Sequence, residues 1–359
     1  MARTNQRGIG TRYMHNAVSI IILSLVSILA LSFCIYLLLK NASLQKEEQA
    51  VRLELETITG EGYYTKAEAG KMVEQAKVEG RAEATSSFRD LIQSKLEAGE
   101  GTTSTIRALF PDQIVVASDG RYYFFPISDS IEHHGFSESD FELDENGYLQ
   151  YVGTDESVHV QKGIDVSRFQ GNIDWKKVAD SGVEFAFIRV ALRGTSEGKL
   201  LVDDMFESNI KGATQNGIKV GVYIYSQALN REEAEEEAQL VLDNIEPYKI
   251  TFPVVIDIES ADSDSARTNS LSSDDYELVA KTFCNIIESA GYKPMIYGNV
   301  KSFTLLMDAE DIDDYGIWVA YYGTPMYYPY RFNVWQYSST GKVDGIDGHV
   351  DLNICITDY

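Results

Sequence analysis

From Lys162 onward, short apolar runs alternate with helical stretches, and this order restricts the fold more than any other feature of the chain. Strand-like segments at 163–169, 185–192, 219–228, 251–259 and 293–299 are separated by amphipathic or charged stretches near 203–216, 231–245 and 274–290. Two further strand-like segments, 316–322 and 331–339, follow with less room for helices. Apolar strands alternating with helices of about 10–15 residues signal parallel βαβ units. The pattern predicts an α/β fold, a TIM-like barrel with an incomplete helical ring. No glycine-rich phosphate loop follows the first strand, which argues against a nucleotide-binding doubly wound sheet.

The strand ends carry the chemistry. In "FPVVIDIES" (252–260) a buried strand runs straight into Asp257 and Glu259. Alternate residues of a strand point to one face, so the two carboxylates project side by side. Like charges held that close raise one another's pKa and are costly unless something uses or neutralises them. Other strands end similarly: Asp165 in "GIDVSRF", Tyr223 and Tyr225 in "YIYSQ", Tyr297 and Asn299 in "MIYGN", Tyr322 in "WVAYY", Trp335 and Gln336 in "VWQYSS", Asp351 in "GHVDLN". Polar groups at the carboxyl ends of barrel strands converge on one site. Acids among aromatic rings suit a sugar cleft, with rings for the apolar sugar faces and acids for the glycosidic oxygen and the cationic carbon.

In chain order these landmarks read "GIDVSRFQGNIDWKKVADSGVEFAFIRV", "KVGVYIYSQA", "FPVVIDIES", "GYKPMIYGN", "IWVAYY", "VWQYSSTGKVDGI" and "VDLN". Residues 162–353 thereby closely resemble the family-25 glycoside hydrolases, the Chalaropsis-type lysozymes. The resemblance implies a barrel of five βα units closed by further strands. It also implies cleavage of the β-1,4 bond between N-acetylmuramic acid and N-acetylglucosamine, so peptidoglycan glycan strands are the expected partner. By the same resemblance Glu259 is the proton donor, and Asp257 orients the substrate's own 2-acetamido group in a substrate-assisted retaining route. An inverting route with Asp257 activating water stays open, because side chains two apart on a strand, at about 6–7 Å, fit both. Asp165 and Asp351 fall on the family's supporting acids. Tyr223, Tyr225, Tyr297, Asn299, Tyr322, Trp335 and Gln336 are the candidate substrate contacts, with core packing the alternative for each ring. Arg189 stands where the family commonly has Lys or Arg, and is read as half of an ion pair inside the barrel. Tyr321 departs from the family, where relatives carry a more polar side chain.

No cofactor or metal is expected. His133-His134 lacks partners at ligand spacing, and "DGIDGHVD" (344–351) lacks the EF-hand spacing. "EEAEEEA" (232–238) is read as a solvated helix face, and Cys284 and Cys355 as buried thiols. The net charge of −24 argues against nucleic acid and against a polybasic grip on lipid.

Ahead of the barrel, Ala17 to Leu39 is 23 residues without a charge, enough to cross a bilayer as a helix. A signal peptide is the competing reading, but its apolar region is normally about 7–15 residues. Arg3, Arg7 and Arg12 precede the span, which leaves the short N-terminus cytoplasmic and the rest outside the cell membrane. The expected division is a cytoplasmic segment 1–15, a single-pass anchor 16–40, a helical stalk and linker 41–105, a small β-rich module 106–160 and the barrel 161–359. Helices are expected at 41–58 and 64–98, broken at Gly60 and Gly62, with stalk self-association possible. Residues 99–105 read as linker, followed by hairpins turning at Ser118-Asp119-Gly120 and Asn146-Gly147. A spacer is the plainest role for that module. The alternative to a hydrolase is a silent wall-binding or scaffold protein on the same fold, against which the intact Asp257 and Glu259 argue.

Overall fold

The structure, a computed structural model, describes residues 7–58, 66–261, 263–357 and 359. It comprises two compact units, Met1–Asp90 and Leu91–Tyr359. In the first, α1 (Arg7–Ile58) is one helix of 52 residues. The separate helix expected at 41–58 is the continuation of the apolar span, since Lys40 to Ser43 hold neither Pro nor Gly to break it. Within its stretch Leu23–Leu53 an 18-residue window reaches a mean hydropathy of 2.2, and the helix is long and apolar enough to cross a membrane. The expected breaks at Gly60 and Gly62 lie outside the described residues. The boundary between the units falls within α2 (Lys66–Glu97), which buries none of its side chains.

In the second unit, the expected linker gives way to a helix, α3 (Thr102–Leu109). It is fixed by tertiary bonds rather than propensity: Arg107 Nε donates to the Val115 carbonyl at 3.1 Å. β1 (Gln113–Ser118) and β2 (Arg121–Pro126) form an antiparallel hairpin. Asp119 and Gly120 both take positive φ, 51° and 71°, the conformation of a two-residue hairpin turn whose twist matches the strands. β3 (Phe141–Leu143) and β4 (Leu149–Tyr151) form a second hairpin. There Asp144 Oδ1 accepts the amides of Asn146 and Tyr148, each at 2.9 Å. These hairpins are not a spacer standing off from the barrel. Phe141 and Leu149 are buried, Phe141 meets Trp335 edge-on at 5.5 Å, and the Val115 amide donates to the Tyr327 hydroxyl. Phe141 and Leu149 would be left in water without that seat, which fixes the module in place.

The barrel begins at β5 (Gln161–Val166), followed by α4 (Trp175–Asp180), β6 (Phe185–Arg193), the short β7 (Leu200–Val202), α5 (Phe206–Gln215) and β8 (Lys219–Tyr225). Then come α6 (Arg231–Ile245), β9 (Val254–Asp257), α7 (Ser273–Ser289), β10 (Pro294–Asn299) and α8 (Ala309–Ile312). β11 (Gly316–Ala320), β12 (Val334–Gly341) and β13 (Val350–Cys355) complete it. Among the described residues, eight strands close in the order β5-β6-β8-β9-β10-β11-β12-β13 and back to β5, with β7 attached to the edge of β6. All neighbours are parallel except β13, which runs antiparallel to both β12 and β5. Five strand–helix units closed by three strands is the architecture the sequence predicted.

Period-two alternation sorts the strand side chains. Phe185, Phe187, Val255, Met295, Trp318 and Val334 fill the interior, where Phe187 stacks on Trp318 at 4.3 Å. Gly221 makes room for this: a Cβ there would lie 2.4 Å from the Phe187 ring and 2.8 Å from the Pro253 carbonyl. The outward residues, among them Ile188, Val222 and Ile256, pack beneath the helices. α7 starts on a capping box between Ser272 and Asp275, and α6 on the Asn230 side chain. The solvated face expected on α6 holds only in part. Glu237 is fully buried and pairs with Arg193 at 2.7 Å, while Glu233 pairs with Arg267 at 2.7 Å. Two arginines on neighbouring elements draw the i, i+4 acids inward. Cys284 and Cys355 are buried, as expected.

Candidate active site

β5, β9 and β13 bring three carboxylates to one end of the barrel, and the residue two past Asp257 adds a fourth. Asp165 and Asp257 are buried, whereas Glu259 and Asp351 are half-buried. Asp351 is the cross-strand partner of Asp165. Parallel register puts Tyr225 on β8 and Tyr297 on β10 on either side of Asp257.

One hydrogen-bonded chain fixes the Asp165 side. Tyr297 and Tyr322 both donate to Gln336 Oε1, at 2.9 and 2.8 Å. Gln336 Nε2 then donates to Asp165 Oδ2 at 2.8 Å, the same oxygen that accepts from Asn353 Nδ2 at 2.8 Å. Trp318 Nε1 donates to Asn353 Oδ1 at 2.8 Å and fixes which way that amide faces. On the other side, Asn299 Nδ2 donates to Glu259 Oε1 at 3.3 Å. Asp257 Oδ1 is buried and meets no hydrogen-bond partner among the described residues. Buried polar atoms are almost always paired, so an orphaned oxygen in a cleft marks a place for a ligand's donor.

Burial dominates the electrostatics. It raises the Asp165 carboxyl to about 8, with repulsion from Asp351 adding to the effect and the two amide bonds opposing it. Burial also carries Asp351 to about 6. Asp257 is pushed well up by burial and by Glu259 and Asp165, against the pull of Arg189. Glu259 is raised by burial, with the Asn299 hydrogen bond opposing. Arg189 pairs with Asp203 at 2.8 Å, the ion pair the sequence implied.

Of the ring candidates, Tyr223, Tyr225, Tyr297 and Tyr322 stand on the barrel's inner face or at its mouth; Tyr322 is 57% exposed. Trp335 is a correction. It alternates with the inward Val334 and Gln336, so it points outward and is fully buried against Phe141 and Phe332. Its indole donates to the Tyr321 carbonyl at 2.7 Å, and no substrate reaches it. Sequence reasoning missed Asn353 and Trp318, although Asn353 is two residues from Asp351 on the same strand face. It also missed a wall from outside the barrel: a cleft of about 400 Å³ containing Glu259 and Asn299 is bounded by Thr103 and Arg107 of α3 and by Val116 and Ala117. A larger hollow of about 510 Å³ lies on the seam between Phe125 and Phe303, and none of the four acids lines it.

A barrel with clustered acids and tyrosines at its mouth defines a carbohydrate-cleaving site. Residues 164–346 match the glycosyl hydrolases family 25, and the chain belongs to that family and is a glycosidase. It is 34% identical over 200 residues to YegX of Escherichia coli K12, covering 54% of this chain and 68% of that protein. It is 31% identical over 222 residues to lysozyme M1 of Streptomyces globisporus, covering 56% and 69%. The modular autolysin LytC of Streptococcus pneumoniae is a structural relative at 25% identity and a TM-score of 0.49, covering 67% of this chain and 57% of LytC.

Proposed function

We propose that this chain is a membrane-anchored peptidoglycan hydrolase, an N-acetylmuramidase cleaving the β-1,4 bond between N-acetylmuramic acid and N-acetylglucosamine with retention. Family membership and a lysozyme among the relatives support hydrolysis of peptidoglycan. The observation that carries the mechanism is the pairing of a raised Glu259 with an orphaned Asp257 oxygen two residues away.

Glu259 is the general acid. Burial raises its pKa and so favours the protonated form, and the Asn299 bond to Oε1 leaves Oε2 to carry the proton to the leaving oxygen. Asp257 Oδ1 accepts the N–H of the substrate's 2-acetamido group, turning its carbonyl oxygen towards the anomeric carbon and stabilising the positive charge that develops. Asp165 is held by two amides, while its burial favours the protonated form and so limits repulsion around Asp257. Tyr225 and Tyr322 offer ring faces to the sugar. α1 spans the membrane with the N-terminus cytoplasmic, placing the barrel at the wall.

Digestion of purified wall by the full chain in detergent, followed by mass spectrometry of the products, tests this. Muramic acid at each new reducing end is the expected result. Glucosamine there, or no new ends, would overturn it.

A further inference from the structure

The wall of the cleft opposite the barrel comes from residues outside the family match, which begins at residue 164. Two cations sit on the lining of a cleft whose one acid is Glu259: Arg107 from α3 and Lys301 after β10. Arg107 is half-buried and placed by three contacts. Its guanidinium lies 3.7 Å from the centroid of the Tyr327 ring and 6.0 Å from that of Tyr321, and its Nε donates to the Val115 carbonyl. Among the described residues neither Arg107 nor Lys301 has a carboxylate at ion-pair distance, although the chain carries a net charge of −24. A cation held rigidly on aromatic rings, with its charge uncompensated and facing a substrate cleft, is an anion receptor.

We propose that α3 and β1 form a substrate wall of this enzyme, and that Arg107, with Lys301, receives a carboxylate carried by the glycan beside the bond at Glu259. The inference rests on the muramidase reading, which supplies an acidic sugar. Tyr321, the departure from the family at the cleft, is then part of the receptor's frame, lying beneath Arg107 and beside Tyr327 at 6.2 Å. Two sources offer the same chemistry: the lactyl carboxylate of unsubstituted muramic acid, or the carboxylates of an attached peptide, which blocks the lactyl group as an amide.

The test uses the full chain in detergent with Glu259→Gln to hold substrate uncleaved, titrated calorimetrically with three probes. These are peptide-free glycan strands, the same strands methyl-esterified, and peptide-bearing strands. A charge-assisted hydrogen bond predicts about tenfold tighter binding of the anionic probe than of the ester. Preference for the free acid over the ester assigns the lactyl group, and preference for peptide-bearing strands alone assigns the peptide. Arg107→Gln should erase most of the preference. Lys301→Gln, which removes no ring contact, should lower it as well, while the exposed Arg121→Gln should not. Equal affinity for all three probes would overturn the proposal, as would an equal loss for every probe in Arg107→Gln together with no effect of Lys301→Gln. Charge-dependent binding without muramic reducing ends in the wall digest would instead sink the muramidase reading alone.

Discussion

Asp351 on β13 faces Asp165 on β5 as its cross-strand partner, two acids meeting across one of the barrel's two antiparallel pairings. Both carboxyls are raised, to about 6 and about 8. A raised acid binds its proton more tightly folded than unfolded. Stability therefore falls as pH rises from the unfolded value of about 4 to the folded one. Thermal melts of the second unit should show a falling Tm between about pH 5 and pH 8, and Asp165→Asn should flatten that slope. A slope unchanged in Asp165→Asn would show that this carboxyl ionises freely.

Glu259→Gln should abolish turnover while leaving the fold intact, because the amide keeps the shape and loses the proton. General acid catalysis contributes about 10²–10⁴-fold. Release of reducing ends from wall within threefold of the parent would identify another residue as the acid.

Asp257→Asn should be similarly severe, since an amide cannot both accept the acetamido N–H at Oδ1 and stabilise positive charge. The parent's kcat/KM should be bell-shaped in pH, because Asp257 and Glu259 are both raised and must share one proton: it falls on the acid side as the pair takes up a second proton and on the alkaline side as it loses its last. The two apparent values belong to the pair. A flat profile from about pH 4 to 9 would contradict these roles.

Gly221→Ala puts a methyl against Phe187 and the Pro253 carbonyl, and backbone has little room to yield. The expected cost is about 1–3 kcal/mol. Urea unfolding followed by tryptophan fluorescence should report it, because Trp318 stacks on Phe187; an unchanged midpoint would show that the interior has slack.

Protease added to intact wall-stripped cells should remove the barrel and leave a small membrane-bound stub. Full protection of residues 162–359 would refute the orientation, and a freely secreted fragment starting soon after Lys40 would refute the anchor.

The barrel was legible because its strands are short continuous apolar runs, as burial on both faces requires, and because most of them end on a polar group. Asp257, Glu259, Asp165 and Asp351 could be named from strand parity and family resemblance together. Trp335 was misplaced for want of one residue of phase: Gln336 next to it faces inward, and neighbours on a strand cannot share a face. The fixed amide of Asn353 depends on Trp318, 35 positions away, and no local pattern announces such a pairing. α3 and the Arg107 wall were unreadable for the same reason. "TTSTIRAL" has the composition of a linker, and only the distant Val115 and Tyr327 give it a reason to be ordered.

The single antiparallel strand also sets an order of events. Chains emerge from the ribosome N-terminus first, so β13 is the last barrel strand to appear. Until it arrives, β5 and β12 have no common neighbour, and Asp165 lacks both Asn353 and Asp351. Glu259 and Asp257 are already made by then, yet the barrel around them is still open between β5 and β12. The site of this glycosidase is thus complete only when the chain's final strand has been laid in place.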